Sequence, residues 1–141
     1  MWSLGCLYLE FVTWLLGGWE MVQQFAKLRM SVDATWYEMQ IDTFFDLVKS
    51  DDGHEMGARV KPAVTKFIEQ LHGHTFCSDF VHDFLDIIQH RLLVVLPQDT
   101  ARNDAPGTGR VSCEQLDHEL RRIRNLCQED VEYASRPSPR V

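Results

Sequence analysis

No lysine or arginine occurs before Lys27, and the four cysteines, Cys6, Cys77, Cys113 and Cys127, contain no Cys-x-x-Cys pair. The first absence removes the basic start that a secretory signal needs, and no small-residue cleavage site follows it. The second, in a chain long enough to fold without staples, excludes a disulfide scaffold and points to a reducing, intracellular and cytoplasmic setting. Basic residues are scarce overall, 14 Lys plus Arg against 21 Asp plus Glu, for a net charge of -7. That balance argues against a nucleic-acid partner. Walker loops, Gly-x-Gly-x-x-Gly runs and Gly-x-Ser-x-Gly elbows are missing too, so no recognised device cradles phosphates or activates a serine.

What is present is a chain of 141 residues, 45% hydrophobic, 11% aromatic and 25% charged. It has enough apolar content for the core of one globular domain. The opening run, Met1 to Gly18, is apolar nearly all round but carries Glu10 at its centre and stops at Gly17-Gly18. A membrane span needs about 20 apolar residues and rejects a central carboxylate, so the run reads as the central helix of a soluble globule.

Helical periodicity continues along the chain without convincing strand alternation, which predicts an all-α fold of about five to six helices. One helix covers Trp19 to Met30 after the Gly-Gly break, and the Phe44, Phe45, Leu47, Val48 run suggests a brief helix over Thr43 to Lys49, ended by Ser50 to Gly53. Pro62 opens a helix with Val64, Phe67, Ile68 and Leu71 on one stripe. Ser78 caps the next, whose buried face is Phe80, Val81, Phe84, Leu85, Ile88 and Leu92. Pro97 to Gly109 is a loop by composition. Ser112-x-x-Gln115 is a capping box that starts the last helix, through Leu116, Leu120, Ile123 and Cys127. Residues 1–127 form the domain, and 128–141, ending in a proline- and arginine-rich stretch, read as a disordered tail.

Several clusters of reactive residue types have plainer readings. His72, His74, Cys77 and His82 are of metal-ligand type, but their spacing fits no standard zinc module, and solvated or capping histidines are the default. Asp51, Asp52 and Glu55 lack the oxygen-ligand pattern of a hard-cation loop and read as a solvated turn. Neither cluster is assigned a metal. The cysteines lie mostly on apolar stripes, where they are small buried hydrophobes. Arg121, Arg122 and Arg124 stand beside Glu114, Asp117 and Glu119, an exposed and charge-balanced helix face.

Two motifs carry a resemblance. Trp2-Ser3-Leu4-Gly5-Cys6-Leu7-Tyr8-Leu9-Glu10-Phe11 resembles the Asp-x-Trp-Ser-x-Gly-Cys stretch that opens the buried central helix of eukaryotic protein kinase large lobes. Arg110-Val111-Ser112-Cys113-Glu114-Gln115-Leu116 is similar to the Arg-x-Ser/Thr-x-Glu-x-Leu segment that starts a late kinase helix, although in the family that arginine follows a proline within a few residues and here Gln98 to Gly109 intervenes. Thr13 to Trp19 further resembles a fungal kinase subgroup.

The resemblance implies the helical C-terminal half of a kinase large lobe over roughly residues 2 to 127. The intact family transfers the ATP γ-phosphate to protein serine or threonine with magnesium. The Gly-rich loop, strand lysine, His-Arg-Asp loop and Asp-Phe-Gly ligand that do so are not in this sequence. The chain alone is therefore expected to be inactive and to have no catalytic, cofactor or metal residues of its own. The family's helix aspartate would fall two positions before Trp2, which implies an internal methionine taken as a start or a truncated gene product.

The resemblance gives Leu7 and Phe11 an indirect role under the nucleotide pocket. It makes Trp2 and Gly5 structural, and pairs Arg110 with the glutamate of an Ala-Pro-Glu motif not found here. Glu10 matches a position that in some kinases receives a substrate arginine, and its plainer reading is a structural carboxylate. The expected partner is the missing upstream segment or a protein bound to the exposed apolar helix. The alternative is a non-catalytic helical interaction module or pseudokinase remnant.

Overall fold

A computed structural model describes residues 1–33, 39–49, 56–95 and 110–140. The loop expected at Pro97 to Gly109 and the acidic turn with Asp51, Asp52 and Glu55 lie outside the described residues.

The chain is mainly helical. Helix α1 (Trp2–Arg29) is the longest element, and its backbone leaves helical geometry at Gly18, with φ 69° and ψ -167°. The expected Gly-Gly break is therefore a kink between two abutting helices rather than a loop. Leu9, Val12, Thr13, Leu16 and Phe25 point inward at helical spacing. Two hairpins follow, which the expectation of no strands did not foresee, within a fold whose helical class holds. Strand β1 (Ser31–Asp33) pairs antiparallel with β2 (Met39–Ile41), and β3 (Phe45–Lys49) with β4 (Met56–Val60), in the register Phe45 to Val60. The segment read as a brief helix over Thr43 to Lys49 is thus a strand. It is too short to hold a helix by itself, and the β-branched and aromatic residues Phe45 and Val48 suit a pleated pair.

Helix α2 (Pro62–His72) has Pro62 in its first turn and buries Val64, Phe67, Ile68 and Leu71. Helix α3 (Asp79–Ile87) is capped by the Ser78 hydroxyl, which accepts from the Val81 N–H, and runs into a π-helical turn at Ile88–Leu92. Helix α4 (Cys113–Glu129) begins with the full capping box, Gln115 N–H to Ser112 Oγ at 3.2 Å and Ser112 N–H to Gln115 Oε1 at 3.0 Å. Its Arg121–Asp117 and Arg122–Glu119 pairs are exposed, at 2.7 and 3.2 Å.

In the stretch read as a disordered tail, the described residues 128–140 are ordered. Helix α4 continues past Cys127, and α5 (Val131–Ser135) is held to α3 by the Tyr133 hydroxyl donating to Asp83 Oδ2 at 2.6 Å. Residues 137–140 then lie as an extended strap along the α2–α3 connection, where Ser138 N–H donates to the Cys77 carbonyl at 2.7 Å and Arg140 N–H to that of His72 at 2.9 Å. Composition pointed to fraying because little of this segment is apolar; backbone hydrogen bonds hold it instead.

One core joins these parts. Helix α1 packs on α2 and on the π-helical turn, and Phe25 stacks on Phe67 with centroids 4.2 Å apart and planes 10° from parallel. Gly5 is where α1 meets the turn: a Cβ there would sit 2.9 Å from Leu92 Cβ and 3.0 Å from Leu93 Cδ2. Glycine is needed at Gly5 for close approach, not for backbone freedom. Among the described residues, no helix is long and apolar enough to cross a membrane.

Candidate functional site

The two ends of the resemblance meet in space. Arg110, just before α4, lays its guanidinium 5.5 Å from the centroid of the Trp2 ring at the start of α1, and its Nε donates to the Val94 carbonyl at 2.8 Å. Trp2 also meets Phe45 edge-on, with centroids 6.2 Å apart. With Ala58 and Val95 these residues line an open cleft of about 210 Å³. A planar cation stacked on an aromatic face keeps its outer N–H groups free for a carboxylate. Among the described residues Arg110 has no acidic partner.

On α1 itself, Leu7, Phe11, Trp14 and Leu15 form a stripe at helical spacing on the side away from α2, each at least half exposed. Phe11 and Trp14 touch, with ring centroids 6.1 Å apart. Opposite them Leu9, Val12 and Leu16 are buried. The helix is therefore apolar on two faces, and among the described residues only one is covered. Contiguous apolar surface of this kind marks a place where another surface belongs.

Glu10 sits beside this stripe, and a partner for it comes from within the chain. Arg29, at the end of α1, is buried, and its Nη2 donates to Glu10 Oε1 at 3.2 Å while Nε donates to the Asp42 carbonyl at 3.0 Å. The guanidinium lies between two rings, 4.2 Å from the Phe25 centroid and 4.3 Å from that of Phe44. The buried Lys61 donates from Nζ to the Arg29 carbonyl at 2.6 Å and to that of Ile41 at 3.0 Å, closing the C-terminus of α1. Sequence reasoning overlooked Arg29 and Lys61. The available signal was an aromatic residue one helical turn before a helix-terminal arginine, Phe25 before Arg29.

The histidines depart from expectation. His82 is not solvated but almost fully buried, and its Nε2 faces the Ser138 carbonyl at 2.7 Å. A carbonyl only accepts, so Nε2 carries the proton and His82 Nδ1 accepts from His72 Nδ1–H at 2.6 Å. The rings are nearly parallel, 5° apart, with centroids separated by 4.9 Å, so the two nitrogens point head-on at each other. A zinc ion needs about 2.0–2.1 Å to each nitrogen, which this gap cannot hold. Cys77 Sγ lies 3.6 Å from His82 Nδ1, and among the described residues no group of three or more His, Cys, Asp or Glu is arranged for a metal. Burial pushes the Cys77 and Cys6 thiols up to about 11, which keeps them protonated and poor nucleophiles. The signal for this burial, passed over in the sequence, was the place of His82 one turn before Leu85 on the α3 stripe.

No family model, curated protein or solved structure matches the chain.

Proposed function

We propose that these residues are the helical part of a kinase-like large lobe, a scaffold that performs no phosphoryl transfer alone. The placement of Arg110 over Trp2 carries the reading. The resemblance rests on two motifs near opposite ends of the chain, and a lobe of this type requires them to be neighbours. The free side of the Arg110 guanidinium suits the glutamate that the resemblance assigns to it, a residue outside this sequence.

The uncovered stripe supports the same reading. Leu7 and Phe11, the positions the resemblance puts beneath a nucleotide pocket, lie on the exposed side of α1. In the intact lobe they would be covered by the segment that carries the ATP and magnesium site, and phosphate would pass to protein serine or threonine there. Glu10, engaged by Arg29, acts as a structural carboxylate in this chain, and its carboxylate remains exposed enough to meet a substrate arginine in the intact lobe.

A second reading rests on the stripe alone: a non-catalytic helical module that binds a partner protein through Leu7, Phe11, Trp14 and Leu15. Thermal unfolding with and without MgATP tests the principal reading. It predicts an unchanged midpoint, because a ligand that binds only the folded state must raise it. A saturable rise would overturn the claim that the nucleotide site lies outside these residues.

A further inference from the structure

Residues 136–140 read Arg-Pro-Ser-Pro-Arg. Pro137 and Pro139 have no N–H, so Ser138 and Arg140 are the inner donors of the strap. Ser138 does most of the fastening. Its N–H reaches the Cys77 carbonyl at 2.7 Å, its carbonyl accepts from buried His82 at 2.7 Å, and its hydroxyl donates to Asp79 Oδ1 at 2.6 Å. Its neighbours Arg136, Pro137, Pro139 and Arg140 are exposed, and only Ser138 is turned partly inward. An extended surface segment with a serine followed by proline and flanked by arginines presents the backbone form that a proline-directed protein kinase accepts.

We propose that Ser138 is a phosphorylation site and that its modification releases the strap from α3. In the modifying step the Ser138 Oγ forms a bond to the γ-phosphorus of MgATP and the bond to the ADP leaving group breaks. The hydroxyl proton passes to the base of the separate modifying kinase. The ester has no hydroxyl proton to give Asp79, and it sets a charge of about -1.5 to -2 against that carboxylate. Compensation is limited to the first α3 amides and Arg140, because the Val81 N–H is already taken by Ser78 and Arg136 is paired with Glu132 at 3.3 Å. Asp79, 2.6 Å from the Ser138 oxygen, is the nearest charged group to the ester, and its repulsion releases the strap from the Cys77, His72 and His82 anchors together. This site does not depend on the kinase-like reading of the chain.

The test treats the full chain with MgATP and a proline-directed serine kinase, locates phosphate by mass spectrometry and follows amide exchange by NMR. Phosphate on Ser138 is expected, with exchange at the Ser138 and Arg140 amides faster by at least about tenfold and the interior of α2 unchanged. In Asp79→Asn the same phosphate should release the strap less. The proposal is overturned if the folded chain takes no phosphate at Ser138, whether or not a peptide of residues 133–141 does. It is equally overturned if phosphorylated Ser138 leaves both amides protected.

Discussion

Arg29 Nη2 donates to Glu10 Oε1 at 3.2 Å across the Gly18 kink, so one ion pair ties the two halves of α1 together. The arginine is buried between Phe25 and Phe44, whereas the Glu10 side chain is 41% exposed. Arg29 Nη1 is buried with no hydrogen-bond partner among the described residues, a cost the site already carries. Arg29→Ala should therefore lose packing as well as charge and destabilise by about 3 kcal/mol. Arg29→Met, which refills the space and removes the orphaned donor, should cost about 1 kcal/mol or less. Urea unfolding of both variants measures the difference.

Gly18 and Gly5 should fail for different reasons. At Gly18 a Cβ meets nothing within 4 Å, so Gly18→Ala suffers only from the backbone, whose φ and ψ fall in a region that glycine alone occupies freely. The cost should be about 1–3 kcal/mol. Gly5→Ala instead drives its methyl into Leu92 and Leu93, for a similar penalty of about 1–3 kcal/mol. Adding Leu92→Ala should recover part of the Gly5→Ala loss and none of the Gly18→Ala loss, as a double-mutant cycle would show.

Acid should loosen the histidine pair. Burial, and next the neighbouring His82, hold His72 below the usual imidazole value, with Asp86 at 3.6 Å opposing them. The folded state then binds fewer protons than the unfolded chain. This contribution to stability is complete above about pH 6.5, falls as pH drops below it, and levels off beneath the lowered folded value. Unfolding midpoints at pH 7.5 and below 6 should differ in that direction, and His72→Gln should flatten the slope.

The exposed stripe on α1 should govern self-association. Replacing Leu7, Phe11 and Leu15 together by serine removes apolar surface that the described residues leave at least half exposed, so thermal stability should fall far less than for buried positions of the same helix. Sedimentation velocity should show less concentration-dependent association than in the parent chain. The same serines at Leu9, Val12 and Leu16 should prevent folding.

The helices were legible where caps and stripes agreed. Pro62, Ser78 and the Ser112–Gln115 box each start a helix where the sequence places one. The hairpins were not legible, because strands as short as Phe45–Lys49 and Met56–Val60 give few alternations, and their pairing partner lies beyond a local window. The strap was missed for a related reason: Ser138 is fastened by backbone groups of Cys77 and by His82, long-range hydrogen bonds with no periodic signature. The expectation that Trp2, Gly5 and Arg110 are structural came from the resemblance and not from periodicity. The Arg29 centre depends on residues from α1, the first hairpin and the start of α2, which no single window contains.

The coding frame upstream of Met1, read from the full-length transcript, tests the kinase-like account most directly. The account predicts that the frame stays open, with an aspartate codon two positions before Trp2 and His-Arg-Asp and Asp-Phe-Gly codons farther upstream. An in-frame stop directly before Met1, or an open frame without those motifs, would contradict it.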